Sequence, residues 1–329
     1  MSNNHKKYEL ILNQIKTNDK FLITSHQDPD GDNIGSMLAL YYLIKFFNKE
    51  VKIILADKVP DYLSFLADSD KIQEKEALAQ EELEELASYN TIMVVDASNL
   101  DRIGEMKDII SNQTIINIDH HVDNSKFGDH NLVEPAAATA EIIYKLFKKT
   151  AMKLKAKFAS AIATAIITDT GSFKYSSTTA KTHQIMSELL EAGIDTAYIC
   201  QQVFLNNTKE SLLLRGEVLK DLVVIDEKIA YLTVTQSLLK KVGATMEDTE
   251  GLVNYALSVK GVEVGILFKE VAKSEIKVSL RSKGVVKVNK VAHQFDGGGH
   301  DRAAGLSIQA NLKEIQEKII VAVKQELGD

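Results

Sequence analysis

Histidine and aspartate recur together in three short segments: Ser25-His26-Gln27-Asp28-Pro29-Asp30-Gly31-Asp32, Val95-Asp96-Ala97-Ser98 and Ile118-Asp119-His120-His121. Each follows an apolar run that reads as a strand. A fourth segment, Thr168-Asp169-Thr170-Gly171, presents Asp169 at the end of an apolar helical run. Desolvating so many carboxylates side by side is costly unless cations neutralise them. Two hard divalent cations about 3.5–4 Å apart would do so, and would clamp a water against a phosphoryl oxygen. Imidazole and carboxylate donors without thiolate suit Mn²⁺, Mg²⁺ or Co²⁺ better than a structural zinc. The chemistry expected of these residues is therefore two-metal hydrolysis of a phosphoester.

Such a site requires strands that deliver the four segments to one edge of a sheet. Residues 21–24, 51–55, 92–95 and 115–118 are short β-rich apolar runs, separated or followed by helical patterns at 33–48, 80–88 and 103–110. This alternation predicts a mostly parallel sheet with helices on both faces. Ligands gather at the carboxyl ends of such strands, where His26, Asp96 and His120 fall. His26, Asp30 and Asp32 stand at i, i+4 and i+6, with Gly31 and Gly35 expected to give the loop its freedom. A helix starting near Asn33 would turn its amino-terminal N–H groups to the same place. Adjacent side chains on a strand point opposite ways, so one of His120 and His121 is expected to ligate.

Length and charge narrow the reading further. At 329 residues, two domains are the prior. Residues 138–148, 158–168, 182–192 and 209–222 read as helices. Strands are expected at 229–234, 262–269, 276–281 and 305–309, followed by a closing helix. The longest apolar stretches fall short of the roughly 20 residues that span a bilayer, and no signal-like segment follows Met1, so a cytoplasmic enzyme is expected. Cys200 is the only cysteine, which excludes disulfides within the chain and thiolate metal sites. A net charge of −7 argues against gripping long nucleic acid. Residues 262–290, however, hold seven Lys or Arg against three Glu, a local surplus of +4 that suits a small, highly charged ligand.

The four segments resemble the four motifs of the DHH phosphoesterase superfamily, whose namesake triplet stands here as Asp119-His120-His121. Asp296-Gly297-Gly298-Gly299-His300, followed by Ala303-Ala304-Gly305, is similar to the glycine-rich signature of the DHH-associated domain. Phe127-Gly128-Asp129, Glu134-Pro135-Ala136-Ala137-Ala138-Thr139-Ala140-Glu141 and Val278-Ser279-Leu280-Arg281-Ser282 resemble the NrnA-type subgroup, nanoRNases that also act as 3′-phosphoadenosine-5′-phosphate (pAp) phosphatases. The resemblance implies an α/β fold: a parallel-sheet DHH domain (1–193), a helical connector (194–225) and a smaller α/β DHH-associated domain (226–329), with the active-site cleft between the domains.

It also implies roles. His26, Asp30 and Asp96 would hold a first divalent cation, and Asp32, Asp96, His120 and Asp169 a second, with Mn²⁺ the leading candidate. His121 would contact the substrate phosphate or assist proton transfer, and Asp119 would orient His120. Gly297, Gly298 and Gly299 would form a backbone nest for a phosphate, supported by His300 and Arg281. Asp28 stands where many relatives carry Asn, and Asp296 where a further glycine is usual. The expected substrates are short oligoribonucleotides and pAp, yielding 5′-nucleoside monophosphates and AMP, with no long nucleic acid or membrane as partner and a homodimer as a mild expectation. The alternatives weighed are cleavage of cyclic dinucleotides or pApA, a manganese pyrophosphatase, and a nucleotide-binding module without catalysis.

Overall fold

The structure, a computed structural model, describes residues 3–110 and 113–328. Its contacts divide the chain into two compact units, with the boundary after Asn206. The first contains α1 (Asn3–Thr17), β1 (Lys20–Thr24), α2 (Gly31–Phe46), β2 (Glu50–Leu55), β3 (Ile72–Glu74), α3 (Gln80–Leu86), β4 (Thr91–Val95), β5 (Thr114–Asp119), β6 (His130–Val133), α4 (Thr139–Phe147), α5 (Ala156–Asp169), α6 (Ala180–Glu191) and α7 (Thr196–Phe204). Its six strands run in the order β3-β2-β1-β4-β5-β6, and all neighbours are parallel. Alternate strand residues divide between two apolar layers, as the pleat requires. Phe21, Ile23, Ile53, Met93, Val95, Ile116 and Ile118 pack with α1, α2, α4 and α5. Leu22, Ile54, Ile92 and Val94 meet Leu86, Tyr89, Ile103 and Met106 on the other face.

Helix α2 is buried on all sides from Gly31 to Ile44. It lies between the sheet and α5, and two glycines permit that approach. A Cβ at Gly35 would fall 2.4 Å from the Ala161 carbonyl oxygen, and one at Gly31 would fall 2.4 Å from Thr168 Oγ1. Neither has positive φ, so their role is close helix packing rather than the loop freedom expected from the sequence. The helix expected over 103–110 is instead a 3₁₀ stretch, Leu100–Asp108, broken at Gly104 (φ 59°, ψ −138°).

The second unit contains α8 (Lys209–Lys220), β7 (Val223–Ile225), β8 (Ile229–Val234), α9 (Gln236–Val242), α10 (Leu252–Ser258), β9 (Val264–Ala272), β10 (Glu275–Ser282), α11 (Val288–His293), β11 (Gly298–His300), β12 (Ala303–Gln309) and α12 (Leu312–Leu327). Its sheet has the order β11-β12-β10-β9-β8-β7, antiparallel except for β8 with β9. Helices α11 and α12 cover one face through Val288, Val291, Ile315 and Ile319. Leu214 and Val218 of α8, with Leu239, Leu252 and Val253, cover β8 and β9 on the other. Within the stretch expected as a connector, Ile199 of α7 enters the first core, while α8 belongs to the second. No helix among the described residues is long and apolar enough to cross a membrane.

Two predictions test this packing. Gly35→Ala should cost about 1–3 kcal/mol through overpacking against α5, read as a lower urea midpoint at unchanged slope by circular dichroism. Asp68 joins Lys71 (2.5 Å) and Lys157 of α5 (2.9 Å), and these partners hold its carboxyl at about 2, below the ordinary 3.8. The stabilisation is therefore full above pH 4 and disappears as pH falls towards 2. Because both lysines are half exposed, Asp68→Asn should cost no more than about 1 kcal/mol at pH 7, and the difference from the parent should close between pH 4 and 2. Asparagine tolerates the left-handed backbone there (φ 65°).

Candidate metal centre

The strand order makes β1, β4 and β5 neighbours at the point where the chain's progression across the sheet reverses, the usual ligand position in an open α/β sheet. His26 follows β1, Asp96 is the residue after β4, and Asp119 closes β5. Asp96 adopts the left-handed region (φ 53°), which Asp tolerates better than most residues. Its N–H donates to the Ile118 carbonyl (3.0 Å), tying the tip of β4 to β5.

Helix termini supply the remaining acids. Asp30 caps α2, its Oδ1 accepting from the Asn33 N–H (3.0 Å). Asp32, in the first turn of α2, points at the start of α4. It accepts from the N–H groups of Thr139 (2.6 Å) and Ala140 (3.1 Å) and from the Ser36 hydroxyl (2.9 Å). Asp169 is the last residue of α5, brought in by the close approach of α5 to α2.

His26 Nε2 lies 3.4 Å from Asp96 Oδ2, and His120 Nε2 lies 3.5 Å from Asp96 Oδ1, 3.5 Å from Asp169 Oδ2 and 3.8 Å from Asp32 Oδ2. Among the groups of donor atoms mutually within 4.8 Å are His26, Asp30 and Asp96, then Asp32, His120 and Asp169, and also Asp96 with Asp119, His120 and His121. The imidazoles of His26 and His120 face these groups through Nε2 because Nδ1 donates to a backbone carbonyl, Gln27 (2.7 Å) for His26 and Ala136 (3.1 Å) for His120. Metal-binding histidines are commonly oriented in this way.

The electrostatics fit a cation as well. Burial pushes the Asp169 carboxyl up to about 6, with Asp96 and Asp30 adding to the rise against His120. Burial likewise raises Asp32 well above the carboxylate range, helped by Asp96 and Asp169, despite its N–H partners. Burial disfavours charge on His26 and His120. Even so, the Asp96 hydrogen bond and the Asp30 charge lift His26 to about 9, and Asp169, Asp96 and Asp32 lift His120 to about 10. The cluster thus holds more negative charge than its imidazoles can balance. This donor set could hold a metal cation in place of those protons, and binding it would release them.

Asp119 departs from expectation. Its Oδ1 accepts from His121 Nδ1 (2.7 Å), so it orients His121 rather than His120, whose Nδ1 is already occupied by Ala136. Thr139 was not singled out from the sequence, yet its hydroxyl donates to Asp96 Oδ1 (3.0 Å) while its N–H holds Asp32. The signal was a threonine at a helix start following three alanines, which reads equally as an ordinary cap.

In the second unit, Arg281 on β10 and His300 on β11 lie opposite Ala303 from either side, in one cross-strand row. The next row on the same face, two residues along, holds Ser279, Gly305 and Gly298. Gly297 is a correction: its N–H already donates to the Ala292 carbonyl (2.9 Å), and a Cβ would fall 2.4 Å from the Gly305 oxygen, so packing explains this glycine and a phosphate nest does not. Gly299 has φ 133°. Asp296 (φ 57°) and Asp28 (φ 55°) both occupy the left-handed region, which glycine and asparagine adopt more readily than most residues.

Comparison with known proteins agrees with these features. Residues 20–168 match the DHH family, N-terminal domain, and residues 226–327 match the DHHA1 domain. The bifunctional oligoribonuclease and PAP phosphatase NrnA of Thermus thermophilus is 31% identical over 325 residues, 98% of this chain and 95% of that protein. The chain belongs to the DHH family. A second DHH relative, the probable bifunctional oligoribonuclease and PAP phosphatase NrnA of Streptococcus mutans, is 33% identical over 91% of this chain and 92% of its own. The crystal structure of an exopolyphosphatase-related protein from Bacteroides fragilis matches with a TM-score of 0.89 at 31% identity, covering 98% and 96% of the two chains.

Thr139→Val should test the carboxylate support in this DHH protein. It keeps the Asp32 contact, which is made by the backbone, and removes the hydroxyl from Asp96. Calorimetric titration with Mn²⁺ should show affinity about 10–100-fold weaker, with the far-UV spectrum unchanged.

Proposed function

We propose that this chain is a metal-dependent phosphohydrolase that cleaves very short RNA oligonucleotides to 5′-nucleoside monophosphates and pAp to AMP. The observation that carries the reading is the pair of donor groups at the ends of β1, β4 and β5. The activities named for relatives aligned along nearly the whole chain supply the substrate class. His26, Asp30 and Asp96 would hold one divalent cation and Asp32, Asp96, His120 and Asp169 the other, with Mn²⁺ favoured by the mixed imidazole and carboxylate donors. When bound, the cations would supply Lewis acidity toward the phosphoryl group and the attacking water.

The chain's own groups prepare that chemistry. Thr139, Ser36 and the first N–H groups of α4 fix the carboxylates, so little reorganisation is left for the reaction itself. Asp119 keeps a proton on His121 Nδ1, which makes Nε2 the nitrogen to meet the substrate phosphate. Arg281, Gly298, Gly299 and His300 are proposed to bind the terminal phosphate. A surface that recognises one end of a strand gives longer strands no further contacts, and a net charge of −7 disfavours them.

With Mn²⁺, equal concentrations of pAp and a 5′-phosphorylated RNA dinucleotide should both be consumed, giving AMP and nucleoside monophosphates on chromatography. Turnover of neither by metal-loaded protein would sink the reading. Asp96→Asn should abolish both activities and weaken metal uptake. Arg281→Ala should mainly raise KM, by roughly 10–100-fold for one charge-assisted hydrogen bond.

A further inference from the structure

Asn124 stands three residues beyond His121, in the loop from β5 to β6. Its amide nitrogen lies 2.6 Å from Asp119 Oδ2, 2.8 Å from Asn117 Oδ1 and 3.1 Å from the Ala97 carbonyl oxygen. A carboxylate only accepts, so the amide must turn its nitrogen to Asp119. Its oxygen then accepts from the Lys126 N–H (2.6 Å). Asn117, fully buried on β5, donates to the carbonyls of Val94 (3.3 Å) and Ala97 (3.2 Å), which leaves its own oxygen to receive Asn124. The Ser125 N–H donates to the Ser98 carbonyl (2.8 Å) and closes the loop over the end of β4.

These bonds form one network that branches at Asn124: on one side it donates to Asn117, which in turn donates to the Val94 and Ala97 carbonyls, and on the other it donates to Asp119, which is 0% exposed. The other Asp119 oxygen accepts from His121 Nδ1. A buried carboxylate stripped of a donor bears its desolvation cost or rotates to find another partner, and rotation would release His121.

We propose that Asn124 is a positioning residue for phosphoester cleavage: it pins the Asp119 carboxylate and thereby fixes His121 as the Nδ1–H tautomer, with Nε2 as the nitrogen presented to the substrate phosphate. The proposal rests on the reading of His121 given above. It adds a residue outside the metal-binding and glycine-rich segments, and makes the loop after the Asp119-His120-His121 triplet part of the reaction machinery.

The test uses full-length protein labelled with ¹⁵N-histidine and loaded with diamagnetic Mg²⁺ for spectroscopy, and with Mn²⁺ for kinetics. Asn124→Ala removes the donor. Asn124→Asp keeps the size and the Lys126 contact while replacing the donor with an acceptor, so it serves even if the alanine variant fails to fold. Long-range ¹H–¹⁵N spectra should show His121 as Nδ1–H in the parent and as a mixture or Nε2–H in the variants. On pAp, kcat should fall about 10–100-fold with KM within about twofold, and adding Asn124→Asp to His121→Ala should cost nothing more. An unchanged His121 tautomer, or losses that multiply in the double variant, would overturn the proposal. Should His121→Ala alone keep the parent kcat while Asn124→Asp still shifts the tautomer, the pinning stands and the phosphate role of His121 fails.

Discussion

The Asp96 carboxylate is buried at the end of β4 with imidazole nitrogens of His26, His120 and His121 at 3.4, 3.5 and 3.7 Å and the Thr139 hydroxyl at 3.0 Å. Asp32 and Asp169 crowd the same space, so the protein maintains a like-charge contact that hydrogen bonds moderate without removing. Much of the first unit's architecture keeps these acids from separating. The strand order places β4 between β1 and β5, the start of α4 grips Asp32, and α5 is pressed against α2 so that its last residue reaches the centre. Preorganisation of this kind is bought with folding free energy and returned when charge is transferred.

Much of this centre was legible in the sequence because the chemistry-bearing residues sit at element ends, where an apolar run stops and Asp or His begins. Runs such as Ile92-Met93-Val94-Val95 have no period other than burial, and that suits a central parallel strand. What stayed hidden depends on contacts between distant segments. Thr139 meets Asp96 across 43 positions, and the sequence around it reads as a helix cap. Gly31 and Gly35 look like turn residues beside Asp30 and Asp32, yet the reason for them lies in α5. The short strands β3, β6, β7 and β11 carry three or four residues each, too few for an alternating pattern to register.

The glycine run of the second unit shows how one motif can serve two physical demands. Gly297 is required by packing under β12, while Gly298 and Gly299 form β11 and pair with Gly305 and Ala304. Small residues on both strands keep that part of the sheet low between Arg281 and His300. The resemblance assigned all three glycines to a ligand, and a sequence cannot tell a glycine that admits a phosphate from one that admits another strand.

The seating of α2 has a consequence for how the polypeptide is made. This helix ends at Phe46, but the surface that covers it, α5, spans Ala156–Asp169. At the pace of ribosomal synthesis, on the order of ten seconds separates the emergence of the two. Throughout that interval a helix with almost no polar face is without its cover, and Asp169 has yet to be added. The centre can therefore first close only once the chain has grown through the end of α5, more than a hundred residues after α2 is made.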